Sequence, residues 1–257
     1  MKPKISFIGP SHRTWLWKPF FESIVTNLDF EVIFVSDLLP KPEEIPQNTS
    51  NGAFHYIISP TKPAQCFEIA YRASSGEFVV WTGDDFVYSP YALDHAYNMH
   101  RSFHDHKIIT SFNVYQDGKS AKHEHHFPWD PYLQLTTTAL ISKKAIDEVG
   151  GWGDINFVAG HHDVDLMQRI FSNGGKLFIC DGAYAYEPHN EFHKVEANFA
   201  YDWQDELDYI TKLWRGKHIQ KDIYETLGQR ALPFQPYSDT DILTKSQGNL
   251  GKTGKWK

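Results

Sequence analysis

Residues 79–90 read VVWTGDDFVYSP. With Phe78 in front, four apolar residues deliver the chain into Thr82-Gly83-Asp84-Asp85. Adjacent carboxylates repel, and the end of a buried strand is a poor place to hide two of them. Either Asp84 and Asp85 sit in water as an ordinary turn, for which Gly and Asp are common formers, or something positive sits between them. A divalent cation is one such group. Paired carboxylates at a strand end can hold Mg2+ or Mn2+ and leave positions for water and phosphate oxygens.

The segments before this stretch alternate in type. Residues 4–9 (KISFIG) form a short β-rich run, broken by Pro10-Ser11-His12-Arg13. Leu16, Phe20, Ile24 and Leu28 recur every four residues and predict one helix over 15–28. FEVIFVS (30–36) is almost continuously apolar, as in a strand covered on both faces, and ends at Asp37. A Pro-rich polar loop (40–51), a strand (54–59) and a helix (63–74, Pro at its start and Ser-Ser-Gly at its end) lead to the strand at 78–81. Strand and helix in this order predict an α/β fold with parallel pairing and right-handed crossovers. Ligands collect at the carboxyl ends of such strands. Ser11, Arg13, Asp37, Asp84 and Asp85 would then share one edge.

The second half is less regular. Helices are expected at 90–101, 143–149, 163–173 and 195–214, and strands at 108–115, 133–142 and 176–180. A His-rich loop fills 116–131, and the chain after about residue 239 is polar, Gly-rich and reads as a mobile tail.

The chain has 257 residues, 41% of them hydrophobic and 15% aromatic, enough for one large domain with an appendage. A formal net charge of −7 disfavours general polyanion binding and is consistent with recruiting a cation. Two distant cysteines, Cys66 and Cys180, are too few for a disulfide framework, so a reducing compartment is expected. The N-terminal apolar run is too short for a signal peptide, and no stretch reaches the ~18 apolar residues of a membrane span. A soluble cytoplasmic protein follows as the expectation.

A second stretch carries further chemistry: VGGWGDINFVAGHHDVDLMQRIFSNGG, residues 149–175. Two glycines precede Trp152, and Gly160-His161-His162-Asp163 enter an amphipathic helix. Asp163 stands either as a cap for free N–H groups or as a general base facing the rim.

Taken in order, four segments resemble the GT-A glycosyltransferases, closest to the family 2 type. ISFIGPSHRTWLWKPFFESI resembles the family's first strand and helix, EVIFVSD its second strand, and AYRASSGEFVVWTGDD its Ala-Ser-Gly-Glu-Tyr segment with an Asp-x-Asp strand end. ISKKAIDEVGGWGDINFVAGHHDVDLMQRIFSNGGK resembles the acceptor segment. The likeness covers about residues 4–190. It implies a GT-A type Rossmann-like mixed sheet flanked by helices: a catalytic domain over 1–194, with a nucleotide-sugar half (1–115) and an acceptor half (116–194). A helical extension (195–238) and the tail (239–257) would follow.

The resemblance also implies site roles. The donor is a nucleoside diphosphate sugar, with UDP first because Asp37 matches a uracil-contacting position. Pro10, Ser11, Arg13, Arg72, Thr82 and Asp84 would line the donor. Asp84, Asp85 and His189 would hold Mn2+ or Mg2+. Asp163 would deprotonate the acceptor hydroxyl and give inversion. Trp152 and His162 would border the acceptor, which is a glycan, a nucleobase-linked hydroxyl or a protein. Two residues depart from the pattern. Thr82 replaces the first Asp of the motif, and His162 stands where Glu is common. For Arg13 and Arg72 a surface salt bridge is the alternative, and for the 14 histidines, including His123, His125, His126 and His193, an ordinary surface position. A nucleotidyltransferase would need a Gly-rich first loop, whereas GPSHRTW has one glycine. A non-catalytic nucleotide or sugar binder is favoured by Thr82 and His162, and disfavoured by Asp84, Asp85 and Asp163.

Overall fold

The structure, a computed structural model, describes residues 4–116, 118–120, 135–187, 203–215, 218–219, 225–226 and 229–240. His189, His193, the histidines at 123–126 and the tail beyond 240 lie outside the described residues.

Nine strands form one mixed sheet. They are β1 (Ile5–Ser11), β2 (Phe30–Ser36), β3 (Gly52–Ile58), β4 (Phe78–Trp81), β5 (Val87–Tyr88), β6 (Ile108–Gln116), β7 (Lys119–Ser120), β8 (Ala139–Ser142) and β9 (Lys176–Glu187). The order is β3-β2-β1-β4-β8-β6-β9-β5, with β7 on β6. β1 pairs in parallel with both β2 and β4, β3 is parallel to β2, and β9 is parallel to β6. β8 runs antiparallel between β4 and β6. The carboxyl ends of six strands therefore point to one edge.

Alternation along the strands divides the core. Ile8, Ile33, Val35, Val79, Trp81, Ile109, Ala139 and Ile141 pack into one cluster. Their neighbours Phe7, Val32, Phe34, Phe78, Val80, Phe112 and Leu140 pack into another. These are the two faces of the sheet. α2 (Pro63–Ala73), α4 (Lys143–Glu148), α5 (His162–Ser172) and α6 (Trp203–Leu213) contribute to the first cluster. α1 (Trp17–Ser23) and α3 (Ala92–Ser102) contribute to the second.

Three expectations change. The predicted helix over 15–28 is a 3-10 turn, Thr14–Leu16, followed by α1, which stops at Ser23. β-branched Ile24, Val25 and Thr26 resist a helix, and Asp94 of α3 accepts hydrogen bonds from the Thr26 hydroxyl (2.6 Å) and the Asn27 amide (3.2 Å). β9 runs seven residues beyond its predicted end at Cys180. It passes through a register shift opposite Ser111–Asn113, with Gly182 at φ +90°. The extra length gives β5 its partner, with Val87 opposite Tyr186. Finally, α6 belongs to the core: Ile210, Leu213 and Trp214 are buried in the same cluster as Trp152. Among the described residues, no helix is long and apolar enough to cross a membrane.

Candidate active site

The positive group between the carboxylates is Arg13. β1 ends at Ser11 and β4 at Trp81, so the two strand ends deliver Arg13 and Asp84 to the same place. Close approach is possible because residue 9 is glycine: a Cβ there would strike the Thr82 carbonyl. Asp84 is 2% exposed. Its Oδ2 accepts from the Ser11 hydroxyl (2.7 Å) and the Arg13 amide (3.2 Å). Its Oδ1 accepts from Arg13 Nε (2.9 Å) and Nη2. Nη2 also reaches Asp85 Oδ2 at 2.9 Å. Burial pushes the Asp84 carboxyl up, against the pull of Arg13 and Ser11. Burial also works against the charge on Arg13, but Asp84 and Asp85 together outweigh it and hold the guanidinium above its ordinary value.

This arrangement does not fit a divalent cation at Asp84. Mg2+ binds through one or two carboxylates in near-octahedral geometry, and both Asp84 oxygens already carry two donors each. Displacing Arg13 would break a largely buried pair, a change that costs about 3–5 kcal/mol when a partner is simply removed. Among the described residues no group of three or more His, Cys, Asp or Glu is placed to hold a metal.

The other expected donor residues divide. Pro10 lines the cavity described below. Asp37 reaches the same edge and pairs with His12 Nδ1 at 2.8 Å. Thr82 is 1% exposed and turned into the protein. Its hydroxyl donates to the Gly83 carbonyl (2.9 Å) and accepts from Tyr88 (2.9 Å), whose oxygen also meets Thr138 Oγ1 at 3.0 Å. A neutral hydroxyl tied to the core thus replaces the expected carboxylate. Arg72 is not brought to this edge. It lies in the last turn of α2, held by Glu68 (2.7 Å), Asp239 (2.6 Å) and the Tyr237 carbonyl, so its role is to bind the C-terminal segment.

The opposite wall is the start of α5. His161 precedes the helix with φ 57°, and Asp163 and Asp165 lie in the first turn, where carboxylates suit the helix dipole. Asp163 is half-buried at the cavity and accepts from the Val164 amide at 2.9 Å. His162 is buried, and burial lowers its pKa, so the ring is neutral. Trp152 corrects the expectation of an acceptor platform: it is 0% exposed and offers no ring face to a ligand. Gly150 and Gly151, at φ +97° and +108°, turn it inward. It stacks on Phe67 (5.4 Å, 12°) and meets Trp81 edge-on (5.9 Å), and its Nε1 donates to His162 Nδ1 at 3.3 Å. Trp152 therefore fixes the His162 ring rather than a substrate.

Two residues were not legible as part of the site. Glu206 of α6 is buried, and its carboxylate accepts from the successive amides of Val158, Ala159 (3.0 Å) and Gly160 (2.8 Å). Three adjacent N–H groups closing on one carboxylate form an anion nest, and this nest shapes the loop that delivers His161 and Asp163. Asp165 is 0% exposed and accepts from Arg169 Nε (2.9 Å), Trp214 Nε1 (2.9 Å) and Arg230 Nε (3.0 Å). It ties α5 to the C-terminal segment.

Between the two walls lies a cavity of about 360 Å3, lined by Pro10, Thr82 and Gly83 on one side and by Gly160, His161, His162 and Asp163 on the other. Trp81 and Thr136 form part of its floor. The same fold occurs in known structures. S. aureus TarS matches with a TM-score of 0.54 at 15% identity, over 81% of this chain and 42% of its own. TarS 1–349 in complex with UDP-GlcNAc matches with a TM-score of 0.54 at 13% identity, over 82% and 65% of the two chains. The UDP complex of TarS 1–349 matches with a TM-score of 0.52 at 14% identity, over 75% and 63%. The fold is GT-A-type. This chain spans less than two thirds of the length of each of those structures. No family model matches the sequence, and no curated protein matches it.

Proposed function

We propose that this protein transfers a sugar from a nucleoside diphosphate sugar, with a UDP-sugar as the first candidate, to an acceptor hydroxyl. The observation that carries this reading is one cavity with an anchored arginine–carboxylate cluster beside one wall and Asp163 on the other. In this reading the first faces the diphosphate and the second the attacking hydroxyl. The shared fold with TarS structures that hold UDP and UDP-GlcNAc supports a nucleotide-sugar donor.

The acceptor oxygen attacks the anomeric carbon and its proton passes to the Asp163 carboxylate. The bond from that carbon to the phosphate oxygen breaks, and its electron pair leaves with the diphosphate. Attack from the Asp163 wall, opposite the leaving group, inverts the anomeric centre. Neutral His162, held by Trp152, lies next to Asp163 and leaves its negative charge unpaired by an imidazolium.

The test is Asp163→Asn. The amide keeps the shape of the side chain and cannot take the proton. Turnover should fall by about 10²–10⁴-fold, with nucleotide-sugar binding by calorimetry unchanged. An Asp163→Asn protein with full turnover removes Asp163 as the base.

A further inference from the structure

We propose that Arg13 replaces the divalent cation: it stands between Asp84 and Asp85, permanently offsets one of their two charges, and presents its remaining guanidinium edge to the donor diphosphate, so that the nucleotide binds without metal. The inference rests on the nucleotide-sugar reading for its ligand, but its cation half stands on the geometry of the cluster alone.

A divalent cation at such a rim has two tasks. It cancels the repulsion of adjacent carboxylates, and it offers positive charge to phosphate oxygens. Arg13 performs the first task in the observed structure. Nε and Nη2 close on Asp84, and Nη2 extends to Asp85. The backbone amide of the same residue adds a further bond to Asp84. An arginine stays protonated throughout the physiological range, so its positive charge does not depend on a metal supply. For the second task Nη1 remains. Among the described residues it has no hydrogen-bond partner, while the side chain is 21% exposed. A guanidinium fixed along one edge with its remaining N–H groups open is preorganised for a phosphate oxygen, because little side-chain freedom is left to lose.

Thr82 agrees with this arrangement. A carboxylate in its place would add a third negative charge beside Asp84 and Asp85, which one arginine cannot balance. The residue present is neutral, and its hydroxyl is committed to Gly83 and Tyr88. With Thr82 neutral, two carboxylates and one fixed cation leave the cluster with a net charge of −1, where a third carboxylate would make it −2. On departure of the diphosphate the developing negative charge would fall against Nη1, which is a fixed donor rather than an exchangeable ion.

The experiment titrates the 257-residue chain with UDP in EDTA and again in excess Mn2+, and separately follows Mn2+ alone by its electron paramagnetic resonance signal. Wild-type protein and Arg13→Met are compared, with Arg13→Lys as the charge-conserving variant, and circular dichroism confirms that each is folded. Wild type should bind UDP with the same affinity in EDTA and in Mn2+, within about threefold, and should leave the Mn2+ signal unchanged. Arg13→Met should lose at least about tenfold in UDP affinity in EDTA. It should also gain a Mn2+ site, since the carboxylates are then unneutralised, and regain part of its UDP affinity when Mn2+ is present. Arg13→Lys should stay metal-independent with weaker binding. UDP binding by wild type that requires Mn2+ overturns the proposal and leaves the transferase reading standing. Mn2+ capture by wild type equal to that of Arg13→Met also overturns it. Failure of UDP to bind wild type under either condition overturns the diphosphate half together with the donor reading, and the Mn2+ comparison then decides the cation half.

Discussion

A single side chain holds the pair at residues 84 and 85 together. Asp84 and Asp85 end their strand because Arg13, 71 positions earlier in the chain, turns back over them. The type of each residue was readable, but their pairing depends on β1 and β4 being neighbours. Trp152 departs from expectation for a related reason. An aromatic after two glycines fits a sugar platform, yet the left-handed turn at Gly150 and Gly151 faces it into the core. Another buried polar residue gives a prediction at this scale. His100, in the last turn of α3, is 3% exposed with its ring edge-on to Phe78 at 5.0 Å. Burial pushes its pKa from 6.5 down to about 4, opposed by a hydrogen bond with the Ile108 backbone and by nearby Asp105, and reinforced by Arg101 and His106. The fold thus holds the neutral ring. Its contribution to stability is complete above pH 6.5 and declines as pH falls toward about 4. Urea midpoints measured from pH 7 to pH 4.5 should drop more steeply for wild type than for His100→Leu. Parallel curves for the two proteins would remove His100 as the source.

At the scale of elements, α6 matters more to the site than its place late in the chain suggests. Glu206 closes the amides of residues 158–160 and so shapes the loop in front of Asp163. Each hydrogen bond to a charged group contributes about 1.5–3 kcal/mol, less where water replaces it. Glu206→Ala should therefore destabilise the protein by at least about 2 kcal/mol, speed amide hydrogen exchange at residues 158–162, and lower kcat more than it raises KM. Glu206→Gln should recover part of all three. Unchanged exchange in that loop would show that α6 does not shape it. The accuracy of the sequence reading follows the same physics. β2 and β4 have the bounds expected because they are almost wholly apolar runs covered on both faces. α1 was overextended because every-fourth apolar spacing persists through Ile24 and Leu28 where Asp94 takes the backbone instead. β5 was invisible, since two residues carry no period and the strand exists only because β9 continues past its bulge.

For the whole molecule, topology does the work of assembly. Six parallel strands place their carboxyl ends on one edge, and antiparallel β8 brings Thr136 back to that edge beside Trp81. That Ser11, Asp37, Asp84 and Asp85 share one edge was legible because they follow directly from strand ends. The part of the site that depends on the C-terminal segment was not, because Glu206, Trp214 and Arg230 meet residues 154–165 only through tertiary packing. The protein's function is decided most directly by calorimetric titration of a panel of nucleotide sugars, UDP-GlcNAc first, into wild-type chain and into Asp163→Asn. We predict saturable one-to-one binding of a UDP-sugar by both proteins, with release of free sugar or transfer only by wild type. Failure of every nucleotide sugar to bind, with and without Mn2+, would contradict the assignment of this rim as a donor site.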